Sequence, residues 1–71
     1  MTHEKKMAAL AELFEMEISE FTPATELSGL SWDSMARLSF MALVQTHFSR
    51  KLTGEMLRGF TTVQELLDVM Q

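Results

Sequence analysis

Apolar residues recur along this chain at helical spacing, and no convincing strand can be read from it. Near the start, Met7, Leu10, Phe14 and Ile18 stand three or four apart, with Ala8, Ala11 and Leu13 beside them, while Glu12, Glu15 and Glu17 fall mostly on the other side. That pattern is one apolar face of a helix, predicted from about His3 to Glu17. It breaks from Ser19 to Asp33, where Thr22-Pro23 and the Ser28, Gly29, Ser31 cluster supply turn chemistry. Pro23 lacks an amide proton and ends any helix that reaches it. Leu27 and Leu30 are the expected anchors of this connection, which is long for a small domain.

A second helix is predicted from Asp33 or Ser34 to about Phe48. Asp33 suits the N-cap, because its carboxylate can accept from free amides of the first turn. Leu38, Met41 and Ala42 form one apolar stripe, and Phe40, Val44 and Phe48 another, so this helix is expected to be central and packed on two sides. Leu52, Met56, Leu57 and Phe60 suggest a brief third helix, capped by Thr53 and stopped at Gly59. Thr61 and Thr62 stand three before Gln64 and Glu65, which makes two possible capping boxes. Val63, Leu66, Leu67 and Met70 then trace a final helical face. The predicted fold is all-α: a small four-helix bundle, three main helices plus one short helix, with a long loop between helices 1 and 2.

Composition narrows this further. A chain of 71 residues fits a single domain spanning residues 1–71. With no cysteine, it can form no disulfide and offers no thiolate ligand or nucleophile. The net charge of -4 disfavours nucleic acid and anionic membranes as partners and favours basic surfaces. No apolar run is long enough for membrane insertion, and Lys5 and Lys6 are followed by an amphipathic stretch rather than an apolar signal core, so a cytoplasmic monomer is expected. Met7, Met41, Met56 and Met70 fall on predicted core faces, where flexible thioethers make a deformable filling.

Nothing within the chain assembles readily into a catalytic site. His3 and His47 lie far apart, without metal-ligand spacing, and read as surface or capping residues. Glu12, Glu15, Glu17 and Glu20 resemble a solvated face. No glycine-rich phosphate loop is present. The expectation is a protein that is not an enzyme, with no catalytic residue and no metal. One feature stands apart: Trp32-Asp33-Ser34-Met35 lies where the long loop meets the second helix. A phosphate on Ser34 would be favoured there by the helix dipole and by unpaired amides. Asp-Ser at a helix start is also ordinary capping chemistry.

A capped Asp-Ser-Met in mid-chain follows a loop holding Leu27 and Leu30. An apolar helix comes next, and the chain closes in Thr-Thr-Val-Gln-Glu-Leu-Leu-Asp-Val-Met. Taken together, these features resemble the acyl carrier protein family over essentially the whole chain. The family signature is Asp-Ser-Leu, with Met a familiar variant at the last position. The resemblance implies a covalent 4'-phosphopantetheine joined to Ser34 by a phosphopantetheinyl transferase that supplies base and magnesium. It implies cargo held as a thioester on the arm, an acyl-loading enzyme, and a dedicated acyl-transferring enzyme. It also implies that Asp33 helps the transferase hold its metal and that Met35 touches partners.

The chain departs from fatty-acid carriers in two places. They line the helix after the serine with acids, whereas Ser34 to Lys51 here contains no Asp or Glu but has Arg37, Arg50 and Lys51. Ala36, Ser39, Gln45, Thr46 and His47 stand where relatives place acids. Trp32 replaces a small residue, which resembles carriers of specialised biosynthesis, and its ring is expected to pack at the helix entrance under Arg37. Trp32, Arg37, Leu38 and Met41 are the candidate docking residues of a specialised rather than housekeeping carrier. An aminoacyl or peptidyl carrier of the D-alanyl type, and an unmodified helical interaction module, are the alternatives.

Overall fold

The computed structural model describes residues 1–71. Each helix begins where a side-chain oxygen can accept from an amide three residues on. Helix α1 (His3–Phe14) starts after Thr2, whose hydroxyl accepts from the Lys5 amide at 3.2 Å. Helix α2 (Ser34–Phe48) starts after Asp33, whose Oδ1 accepts from the Ala36 amide at 2.9 Å. Helix α3 (Gly54–Gly59) starts after Thr53, whose hydroxyl accepts from the Met56 amide at 3.1 Å. Helix α4 (Val63–Val69) starts with a capping box between Thr62 and Glu65. Of the two boxes expected, this one forms. The Gln64 side chain turns away and donates to Asp68 Oδ1 at 2.8 Å.

The fold is the predicted all-α bundle, with two long helices and two short ones. The last helix, with seven residues, is closer in length to α3 than to α1 or α2. The long connection is more ordered than its turn chemistry suggests. It contains two 3-10 turns, Ile18–Glu20 and Leu27–Gly29. It is also strapped to the start of α4: the Leu27 amide donates to the Thr61 carbonyl, Val63 to that of Thr25, and Gln64 to that of Pro23, at 2.8 to 3.0 Å.

The core is one cluster fed by every helix and by the loop. Leu10 and Phe14 of α1, Phe40 and Val44 of α2, Leu57 of α3, and Leu66 of α4 are all buried in it, with Leu27 from the connection. Edge-to-face rings run through the centre, from Phe21 to Phe14 to Trp32 to Phe40 to Phe60, with centroids 5.7 to 6.3 Å apart. That spacing suits the ring quadrupoles.

Several sequence expectations are corrected. Helix α1 ends at Phe14, not Glu17, because Glu15 takes a left-handed conformation at φ 57°. Ile18 therefore falls out of helical register and is 44% exposed instead of joining the core. Met56 is 41% exposed. On α2, Leu38 and Ala42 face solvent, so the two-sided packing expected for this helix narrows to the Phe40–Val44 face and its flanks. Gly59 is the last residue of α3, and its φ is not positive, so it does not act as a left-handed stop.

Candidate functional site

Two independent restraints aim the start of α2. The Asp33 carboxylate caps it from the chain side. Trp32, one residue earlier, is half-buried between Phe14 and Phe40, and its indole N–H donates to the Leu57 carbonyl at 3.3 Å. The loop end is thereby tied to α1, α2 and α3 together. Ser34 follows as the first residue of a fifteen-residue helix, and it is exposed. The amides of Ser34 and Met35 donate to no protein acceptor, as the first turn of a helix requires unless a cap reaches them. The site thus combines an accessible hydroxyl, two free amides and the positive end of a helix dipole.

Arg37 closes one side. Its Nη2 donates to Ser34 Oγ at 3.3 Å and its Nη1 to the Trp32 carbonyl at 3.5 Å. The cation therefore meets the backbone of Trp32, and the sequence expectation that the indole lies under the guanidinium is corrected. On the other side a shallow groove runs between the end of α1 and the start of α2, lined by Phe14, Glu15, Ser31, Asp33, Met35 and Ser39.

The other sequence-predicted residues divide into two groups. Met35 and Leu38 project into solvent, 77% and 64% exposed, one turn apart on α2. Met41 is half-buried and packs against the core, as Trp32 does, so each exposes less surface than Met35 and Leu38. Two features escape the sequence reading. The Leu57 carbonyl gives no side-chain signal as the acceptor for Trp32. The Ser34–Arg37 contact, by contrast, is legible in principle as an i, i+3 pair on one helix face.

The arrangement presents a hydroxyl whose side-chain hydrogen-bond partner is the Arg37 guanidinium. Arg37 is a permanent cation, and one oxygen of the Asp33 carboxylate, Oδ1, accepts from the Ala36 amide. His47 lies thirteen residues further along α2, roughly 20 Å at 1.5 Å per residue.

The model of one protein family, described as phosphopantetheine attachment site, matches this chain over residues 7–70. No curated protein and no solved structure matches it.

Proposed function

The chain belongs to the phosphopantetheine attachment-site family, and from that membership we propose that it is an acyl carrier whose 4'-phosphopantetheine is attached to Ser34. Members of this family bear that group covalently, so the open question within the chain is which residue holds it. The observation that carries the assignment is the exposed hydroxyl of Ser34 at the first position of α2. A phosphate ester there meets the free amides of Ser34 and Met35 and the positive end of the helix. The residues present therefore fit the group.

When attached, the group supplies a terminal thiol able to hold cargo as a thioester, in a chain that has no cysteine of its own. The chain's own residues do the rest. Asp33 and Trp32 hold the helix start in a fixed orientation, so that Ser34 is offered outward. Asp33, beside the serine, is suited to help a transferase position its metal. Met35 and Leu38 form an exposed apolar step next to the attachment point, suited to contact with partner enzymes. These partners are a phosphopantetheinyl transferase, an acyl-loading enzyme and a dedicated acyl-transferring enzyme. In this reading the carrier is monomeric and cytoplasmic and performs no catalysis itself. No helix is long and apolar enough to cross a membrane.

The test is an intact-mass measurement after incubation with coenzyme A and a promiscuous phosphopantetheinyl transferase. The expected result is a gain of one phosphopantetheine that disappears in Ser34→Ala. A wild-type protein that gains nothing, or a Ser34→Ala variant that gains as much, rejects the assignment. The mass of protein taken from its native cells then separates acyl from aminoacyl cargo.

A further inference from the structure

Arg37 stands where helix electrostatics alone would not put a cation. It is the fourth residue of α2, and its side chain leans back to the first, as helical side chains do. The start of a helix carries positive partial charge and favours anions. Yet the first turn of α2 holds no acid. Both contacts of the guanidinium go to neutral oxygens, Ser34 Oγ at 3.3 Å and the Trp32 carbonyl at 3.5 Å. The carboxylate of Asp33 is held by the Ala36 amide at 2.9 Å. A positive group is thus positioned over a hydroxyl, at the positive end of a helix, and neither of its contacts is an anion. The charge that would complete this arrangement is a phosphate ester on that same hydroxyl. Its free oxygens would lie two bonds beyond the oxygen that Arg37 already reaches.

We propose that Arg37 is a binding residue for the phosphodiester of the prosthetic group and ties the root of the arm to α2. The proposal rests on attachment at Ser34. In the loaded protein the guanidinium keeps its hold on the Trp32 carbonyl and donates to the phosphate in place of the hydroxyl. A planar fork with several donors suits that exchange. Arg37 is then occupied within the carrier instead of being offered to a partner enzyme, and the arm swings from a restrained base.

The test compares wild type, Arg37→Gln and Arg37→Lys, each loaded with coenzyme A and transferase and verified by intact mass. Each loaded protein is measured against its own unloaded form, so any effect of the substitution on the fold itself cancels. Loading is expected to raise the melting temperature of wild type more than that of Arg37→Gln, by roughly 3 °C for a partly screened ion pair in a domain this small. The difference should shrink at high salt. Arg37→Lys should fall between, since an ammonium keeps the charge and loses the fork. The phosphorus-31 resonance should also differ between loaded wild type and loaded Arg37→Gln. Equal melting shifts together with an unchanged phosphorus resonance, in proteins whose mass shows them loaded, overturn the role of Arg37 and leave attachment intact. Wild type that never gains the mass rejects attachment at Ser34 and the role of Arg37 with it.

Discussion

Trp32 shows how much a single side chain contributes to presenting the site. Its ring packs edge to face on Phe14 at 6.2 Å and Phe40 at 5.8 Å, and its N–H reaches the Leu57 carbonyl at 3.3 Å. Two residues later stands Ser34. Packing accounts for the tryptophan without any recognition role, and the two roles separate experimentally. Trp32→Phe keeps a ring and loses one hydrogen bond, so it should cost about 1 kcal/mol. Trp32→Ala also loses the ring contacts, and should cost about 3 kcal/mol in denaturant titration. Loading of Ser34 by transferase should proceed normally in any fraction that remains folded. Full stability with failed transfer to downstream enzymes would instead make the ring a recognition element. Other single residues carry strain. Ser49 ends α2 in a left-handed conformation at φ 53°, as Glu15 ends α1 at φ 57°. Glycine relieves the Cβ crowding there, so Ser49→Gly should stabilise the protein by about 1 kcal/mol, or roughly 4–8 °C in melting temperature. These two positions also show what the sequence conceals. Helix ends are conventionally signalled by glycine, but here a glutamate and a serine take that place, while Gly59 lies inside α3. Periodicity therefore extends the first helix three residues too far and carries Ile18 with it into the predicted core.

At the scale of elements, the starts are legible and the ends are not, for a physical reason. An N-cap is local chemistry between an oxygen and an amide three residues on, so Asp33 and Thr53 can be placed from spacing alone, while spacing leaves Thr61 and Thr62 as rival starts for α4 until the structure selects Thr62. That same local logic places Ser34 in the first turn of α2, and the structure makes it the first residue. What spacing cannot show is which of two apolar stripes faces the core, and so it assigns Leu38 and Met56 to buried faces that they do not occupy. Nor can it show the long-range strap that fastens residues 23–27 to the start of α4. Glu65 organises that junction. Its carboxylate accepts from the Thr61 and Thr62 amides at 2.9 and 3.2 Å and from the Thr61 hydroxyl. Those bonds, the Thr61 hydroxyl first and its amide next, hold the Glu65 carboxyl below the usual glutamate value of 4.5. A depressed folded pKa means the unfolded chain takes up the proton first as pH falls. The contribution of Glu65 is therefore fully present above about pH 4.5 and is lost as pH drops through the lower folded value. Glu65→Gln keeps an acceptor oxygen but cannot titrate. Its melting temperature should fall less steeply than that of wild type below pH 4.5. Parallel curves for the two proteins would show that the junction is not held by this charge.

Across the whole molecule, the charges are segregated in a way that bears on which enzymes it can serve. The chain is acidic overall, at -4, yet the length of α2 carries no Asp or Glu. Arg50, just past the end of α2, already has a structural use, donating to the Val69 carbonyl at 3.3 Å at the favourable C-terminal end of α4. The exposed surface of α2 thus carries no acid: Met35 and Leu38 near the site, then Ser39, Ala42, Gln45, Thr46 and His47, with Arg37 as a cation beside Ser34. Complementary charge chiefly sets encounter rate and partner choice, with less effect on fold. Enzymes that find their carrier through basic patches should therefore capture this one slowly, even when it is correctly loaded. The expected result is that housekeeping fatty-acid synthesis enzymes use the loaded wild type poorly, with little change as salt is raised. A variant carrying Ser39→Asp, Gln45→Glu and Thr46→Glu should be used at least about ten-fold faster at low salt, and that gain should fade as ionic strength rises. All three side chains face solvent, so the substitutions leave the core untouched. Ala36, which also stands where relatives place an acid, is buried and belongs in no such design. If those enzymes accept the wild type as efficiently as their own carrier, docking does not depend on the missing acids, and the inference of a dedicated set of partners fails. Slow wild type together with a salt-sensitive gain in the triple variant would assign the selectivity to the bare surface of α2.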